Sequence, residues 1–303
     1  MSTKINFDKL PTGTASQDIT KGCLIIEGGA FRGTYAQGVA DCLMKNNLNF
    51  ECTVGCSAGA LNGMNYVSGQ IGRGIMINLK FRHDSRYVGL KAIRHERGII
   101  GFDFLLNGMD QYTRFNEEQF YSKNRRFVAV ATDIKAGQAR YFDKEMDGNF
   151  KSVIQASASM PFFSKPVPIG DSLYLDGGIT DSIPYQWAIN QGYKKVIVIR
   201  TREDSYRKST DKKRSSDILS HSRLLKQYPA LGEALSDRPK MYNRQCDRLD
   251  WLVKSGQVFR ISPSKHVTVG RLEPNLSKLE QLYWAGYEDA QNQLANLNDY
   301  LKK

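Results

Sequence analysis

At 303 residues with 41% hydrophobic content, the chain can bury a full core, which excludes bulk disorder and leaves room for one α/β domain with an appendage or for two domains. A formal net charge of +12 fits a nucleic acid, an anionic membrane surface or plain solubility, since net charge reports on partners rather than on fold. Five cysteines (Cys23, Cys42, Cys52, Cys56 and Cys246) are odd in number and lack paired metal-ligand spacing, the N-terminus has no apolar signal core, and no window approaches the ~18 apolar residues of a membrane span. These features point to reduced thiols in a cytoplasmic protein that does not cross a bilayer and holds no metal.

In chain order, CLIIE (23–27) is an apolar strand that meets the glycines of GGAFRG, and TYAQGVADCLMKN follows with apolar residues at helical spacing. The same grammar repeats at once: FECTVGC is a β-branched run, a glycine-flanked turn follows, and AGALNGMNYVSG has the small residues of a closely packed helix. Two strand-turn-helix units in succession predict a mainly parallel central sheet flanked by helices. Further strands are predicted at RFVAVATD (126–133), SLYLD (172–176) and KKVIVIR (194–200), so the sheet core is expected to end near residue 205. Beyond it TREDSYRKSTDKKRSSD is a polar, basic linker, and the rest is mainly helical with one short strand candidate at QVFRIS. The expected organisation is a catalytic domain over 1–205 and a basic linker with a helical C-terminal appendage over 206–303.

The turn GCSAG (55–59) places Ser57 between Gly55 and Gly59. A nucleophilic serine has to project from a sharp strand-to-helix turn whose neighbours two positions away lack side chains, which is what G-x-S-x-G supplies. The preceding strand and following helix give that context, and the helix start offers free N–H groups to an oxyanion. The bland alternative is a serine that only caps a helix. Cys56 reads as a small buried hydrophobe.

A conventional triad needs a histidine base after the serine. His83 and His95 lie in the basic segment FRHDSRYVGLKAIRHERG, His221 in a polar stretch and His266 in SPSKHVTVG, and none follows a predicted core strand directly. Solvated or locally bonded histidine is the reading for each.

Three motifs together resemble the patatin-like phospholipases: EGGAFRG (27–33) is similar to the family's glycine-rich oxyanion loop, GCSAG to its nucleophile elbow, and DGG (176–178) to its aspartate motif. ASASMPFF (156–163) looks like the small-residue and proline segment ahead of the aspartate strand, and RLEPNLSKLEQLYWAGYEDA like the tail of stand-alone bacterial members. The likeness covers roughly 22–200 and implies a Ser57–Asp176 dyad with no histidine, an acyl-enzyme intermediate and no cofactor. Asp176 would be proton acceptor and donor, with Gly177 and Gly178 completing its motif, and Asp133 and Asp181 as rival acids. A carboxylate is a weak base at its reference pKa of about 4, so the site is expected to raise that value by partial desolvation.

For the oxyanion, the amides around Gly28, Gly29 and Ala30, with that of Ala58, are the candidate donors. The family's loop commonly carries a second glycine where Ala30 stands, and alanine keeps its N–H, so donation survives if its φ is negative. Arg32, ahead of Gly33, either holds the loop or faces a substrate phosphate. A dinucleotide fingerprint is disfavoured, because Ala30 breaks G-x-G-x-x-G and the next strand ends in the elbow rather than in a ribose-binding acid.

The resulting expectation is a lipid acyl hydrolase acting on phospholipids or related acyl esters. The rivals are a thioesterase or acyltransferase with the same nucleophile and a non-catalytic interaction protein that keeps the fold. Basic residues crowd 80–97 and the linker from Arg200 to Arg214, which read either as solvated faces or as peripheral contact with an anionic membrane. No zinc-finger, RNP or basic-zipper pattern accompanies the charge, so no nucleic-acid partner is expected.

Overall fold

The computed structural model describes residues 5–145, 149–211 and 222–303; His221 and the end of the basic linker lie outside them. The strands are β1 (Gly13–Thr14), β2 (Thr20–Ile26), β3 (Phe50–Cys56), β4 (Gln70–Ile71), β5 (Arg126–Asp133), β6 (Gln138–Asp143), β7 (Val167–Ile169), β8 (Ser172–Asp176), β9 (Val196–Ile199) and β10 (Val258–Ile261). The principal helices are α1 (Gly33–Lys45), α2 (Ala58–Val67), α3 (Arg73–Phe81), α4 (Leu90–Glu96), α5 (Phe150–Ala158), α6 (Pro229–Lys254) and α7 (Leu276–Lys302).

The main sheet runs β10-β9-β2-β3-β5-β8-β7, with β6 paired to β5; the pairs from β10 to β5 are parallel and those made by β6, β7 and β8 are antiparallel. Cys23, Leu24, Ile25 and Ile26 of β2 are fully buried, as are Ile197, Val198 and Ile199 of β9. Continuous apolar runs are what strands covered on both faces require. The predicted strand QVFRIS forms β10, but it does not stay with the C-terminal helices. It adds to the free edge of β9 in parallel register, Val258 opposite Val196, so the sheet does not end near residue 205.

Helix α7 crosses α1 at close range. A Cβ at Gly38 would stand 2.0 Å from the carbonyl oxygen of Tyr283, and one at Gly286 2.1 Å from that of Tyr35, so each helix needs a glycine where the other's backbone passes. Two reciprocal bonds flank the crossing: Tyr35 donates to Asp289 at 3.0 Å and Tyr283 to Asp41 at 2.8 Å. This is why α1, which looks amphipathic in sequence, is buried nearly all round. Among the described residues no helix is long and apolar enough to cross a membrane.

Burial pushes the Asp41 carboxyl up to about 7, against the Gly72 amide, the Tyr283 hydroxyl and Lys45, which favour the charged form. In the unfolded chain it ionises near pH 4. Between those values the native state holds a proton that the unfolded state has released, so the stability contributed is complete below about pH 4 and falls as pH rises to about 7. In Asp41→Asn, urea unfolding should lose that slope, the gap from the parent changing by up to about 4 kcal/mol between pH 4 and 7. Parallel pH curves for the two proteins would contradict this assignment.

Candidate active site

Strand β5 gives one edge to β6 along Val128–Asp133 and its other edge to two strands in succession. β3 occupies that second edge as far as Cys56 opposite Val130, running parallel. From Ala131 onward β8 takes it over in the opposite direction, with Asp176 opposite Ala131. The chain has to leave the edge after Cys56, and it does so at Ser57, whose φ of 57° and ψ of −125° lie where a non-glycine residue costs roughly 1–3 kcal/mol. The residue departing from β3 and the last residue of β8 are thereby neighbours, and Ser57 Oγ donates to Asp176 Oδ2 at 2.6 Å.

The glycines around this pair answer to crowding. A Cβ at Gly59 would lie 2.1 Å from the carbonyl oxygen of Ile26, because α2 starts across the end of β2, and one at Gly177 would lie 2.2 Å from that of Val130. Gly55 packs against Gly59, and Gly33 against Ala58. Ser157, within ASASMPFF but without a role in the sequence reading, braces the turn: its Oγ accepts from the Ser57 amide at 3.0 Å and donates to the Val130 carbonyl at 2.6 Å. Ser159 supports the acid by accepting the Asp176 amide at 2.8 Å.

The glycine-rich loop begins at Glu27, which is 2% exposed and fully engaged. Its carboxylate accepts from Arg200 Nε at 3.0 Å, from the Thr201 amide at 2.7 Å and from the Tyr242 hydroxyl at 2.6 Å, while Thr201 Oγ1 donates to the Gly28 carbonyl at 2.8 Å. No hydrogen bond to another described residue is made by the amides of Gly28, Gly29, Ala30 or Ala58. The condition of a negative φ at Ala30 is not met: its φ is 50°. The loop keeps a conformation suited to glycine, at a cost of about 1–2 kcal/mol for the Cβ, and the amide is still free. Arg32 is half-buried, and its Nε has no partner among the described residues.

Burial raises the Asp176 carboxyl above the usual range; the Ser57 hydroxyl, Arg238, the Gly178 amide and Arg271 pull the other way. Gly178 N–H binds Asp176 Oδ1 at 2.8 Å and leaves Oδ2 to the serine. The rival acids are occupied elsewhere: Asp133 accepts the amides of Lys135 and Ala136, and buried Asp181 accepts from Tyr141 and Gln245. His83 contacts the Pro274 carbonyl, His266 contacts Glu203, and among the described residues no histidine lines either cavity at Ser57. Cys56 is fully buried with its thiol pushed up by burial.

Two cavities meet at the serine. One, with about 890 Å³ of empty space partly open to solvent, is walled largely by apolar side chains such as Phe31, Leu61, Ile77, Phe102, Leu105 and Phe115. The other is bordered by Arg32, Arg202, Lys208, Arg238 and Arg271. Arg202 and Lys208 belong to the basic linker read as a solvated or membrane-facing stretch, Arg238 and Arg271 were not anticipated, and no motif marks any of the four.

The family model described as "Patatin-like phospholipase" matches residues 24–189, more than half of the chain. The chain belongs to the patatin-like phospholipase family. A second model, "Domain of unknown function (DUF6363)", matches 228–302. Among curated relatives, the uncharacterized protein YjjU of Escherichia coli is 30% identical over 59% of this chain and 51% of its own length. The chain thus spans about half of YjjU. The probable lipid hydrolase 463L of Invertebrate iridescent virus 6 is 22% identical over 61% of this chain and 72% of its own. The crystal structure of VipD from Legionella pneumophila superposes with a TM-score of 0.45 at 12% identity, covering 97% of this chain and 69% of VipD. The patatin-like segment contains the loop, the elbow, β8 and the aspartate, while Arg238 and Arg271 lie in the second matched segment.

Replacing Ala30 by glycine should relieve the left-handed alanine and exceed the entropy returned to the unfolded chain. The urea midpoint should rise by the equivalent of about 0.5–1 kcal/mol. A midpoint that falls would mean the alanine methyl contributes more by packing than its φ costs.

Proposed function

We propose that this protein hydrolyses carboxylic esters of acyl lipids, with Ser57 as nucleophile and Asp176 as general base. The observation that carries the reading is the 2.6 Å bond between a strained, buried serine that lines an apolar cavity and a buried aspartate of raised pKa. Family membership supports a lipid ester as substrate. Ser57 Oγ bonds to the carbonyl carbon as its proton passes to Asp176 Oδ2, and the carbonyl electron pair becomes an oxyanion facing the amides of Gly28, Gly29, Ala30 and Ala58. Collapse breaks the carbon–oxygen bond to the alcohol, which leaves with the proton held by Asp176. Water, deprotonated by the same carboxylate, then attacks the acyl-enzyme and frees the acid and Ser57.

Raising the base above the usual carboxylate range brings it closer to the proton affinity its task requires. Several polar members of the apolar cavity are engaged: Asn62 with the Gly33 carbonyl, Arg73 with Asn65 and the Thr113 carbonyl, Asn78 with Gln37 and Tyr87, while Arg73 Nε has no partner among the described residues. An acyl chain there would meet mainly hydrocarbon.

A surface tied to the rim residue Phe163 is suited to an anionic membrane. Leu90 is 80% and Ile93 45% exposed on α4, Phe162 and Phe163 are exposed beside the cavities, and Lys91, Arg94 and Arg97 are exposed between them in sequence. Backbone bonds from Gly89 to Ile99 and from Ile99 to Phe163 tie these segments together. Apolar side chains at the headgroup level with cations around them suit reversible adsorption.

Ser57→Ala should abolish both ester hydrolysis and labelling by a serine-directed phosphonate while leaving the fold intact. Asp176→Asn should lower hydrolysis by roughly 10²- to 10⁴-fold, whereas replacing His83, His95, His221 or His266 singly should spare most of it. Parent-level turnover by folded Ser57→Ala, or a histidine variant as inactive as Asp176→Asn, would overturn the dyad.

Sedimentation with vesicles should increase with anionic lipid, weaken as salt rises from about 0.05 to 0.5 M, and drop in a Leu90→Ser/Ile93→Ser variant. Equal binding to neutral and anionic vesicles at low salt would remove the membrane contact from the proposal.

A further inference from the structure

An ester carbonyl carries two limbs, and the two cavities beside Ser57 give each a different chemistry. Both are bounded by Ala30, Ser57, Met160 and Arg271. The apolar one suits the acyl limb. The other brings five basic side chains together with only two carboxylates, Glu27 and Asp176. Glu27 is already paired with a sixth cation, Arg200, outside that lining, and Asp176 is engaged by Ser57 and Gly178.

The five cations have few partners of their own. Arg238 Nε donates to the Gly178 carbonyl at 2.5 Å and Arg202 to the Val267 carbonyl at 2.9 Å, which leaves donors unused on both guanidinium groups. The Nε atoms of Arg32 and Arg202 are buried without an acceptor among the described residues. Lys208 Nζ lies 3.5 Å from the centre of the Tyr242 ring, with no carboxylate paired to it among the described residues. Burial, then Arg238, brings the Lys208 ammonium down to about 6 against the opposing pull of Glu27, so near neutral pH Lys208 takes up its charge as an anion enters; burial, Arg202 and Arg271 bring Arg32 down to about 10, which leaves it a cation. Grouped cations without counter-charge repel one another, and a multiply charged anion between them relieves that repulsion while accepting several N–H bonds at once.

We propose that this cavity binds a phosphate monoester carried by the leaving alcohol, so that the enzyme selects acyl esters of glycerol phosphate over neutral acylglycerols and over esters with a cationic headgroup. The inference rests on the hydrolase reading above and deepens it. Discrimination against a choline group comes from repulsion as much as from lost attraction, since Glu27 is committed to Arg200, Thr201 and Tyr242 and offers no free carboxylate. It also gives the C-terminal segment a task. Arg238 on α6 and Arg271 ahead of α7 wall the leaving-group side, while Arg202 and Lys208 come from the segment after β9.

The test has a kinetic and a binding arm. On monomeric substrates of one short acyl chain, kcat/KM should favour the acyl glycerol phosphate over the acylglycerol by at least tenfold. In Arg202→Met and Lys208→Met that ratio should collapse at least tenfold, through KM of the phosphate substrate. Unfolding of a variant would depress both substrates alike and leave the ratio in place. In the binding arm, calorimetry on Ser57→Ala should detect glycerol 3-phosphate, weakened in each double variant carrying Arg202→Met or Lys208→Met. A parent enzyme that hydrolyses both substrates equally would overturn the cavity assignment and leave the hydrolase reading standing. Hydrolysis of neither substrate would sink the hydrolase reading, and glycerol 3-phosphate failing to bind would independently sink the cavity. Inorganic phosphate binding as tightly as glycerol 3-phosphate, with no substrate preference, would make this a free-anion site and overturn the leaving-group assignment.

Discussion

The site depends on one edge of one strand. A β-strand has two rows of backbone donors and acceptors, and on β5 the second row is shared end to end by β3 and β8. Because β3 runs parallel to β5 and β8 antiparallel, their C-terminal ends converge on the same point, between Val130 and Ala131. A sheet parallel throughout would carry all its C-terminal ends to one rim, a strand spacing apart. The change of direction brings two side chains to hydrogen-bonding distance without any loop reaching across. The close-packed glycines and the brace from Ser157 follow from fitting two chain reversals into that gap.

A second constraint holds the opposite wall. Glu27 and Arg200 are fully buried at the ends of neighbouring strands β2 and β9, and Tyr242 closes the pair from α6. Buried ion pairs contribute little net stability compared with apolar packing, yet breaking one strands a charge at a cost of about 3–5 kcal/mol. What this pair supplies is position. The loop that follows Glu27 starts from a carboxylate with no freedom to rotate, which fixes the free amides of the next three residues relative to Ser57.

The sequence marks the parts of this site that are local and leaves out those assembled from afar. The strands at 126–133 and 172–176 have the ends predicted from their apolar and β-branched runs, because each carries an unbroken buried stretch, 127–132 in one and 174–176 in the other. GCSAG and DGG are readable because steric demands act within a few residues. β6 and β7 carry mixed, half-exposed patterns without a clean period, and they went unpredicted. Lys208, Arg238 and Arg271 sit in polar stretches where a cation is the ordinary solvent-facing choice, and only the tertiary fold turns them toward one space. Ala30 misled for a different reason: residue type makes a left-handed φ improbable, and the surrounding loop enforces it.

The crossing of α1 and α7 bears on how the chain is made. α1 is synthesised before α7, and the face that Gly286 and Tyr283 cover has no cover until residues some 240 positions later have left the ribosome. The edge of β9 likewise waits for β10. Throughout that interval an apolar helix face and an unpaired strand edge are both open to other chains, the two features that most favour misassembly. Truncation between the two matched segments would make this transient exposure permanent, so separately expressed halves should aggregate unless each is synthesised in the presence of the other.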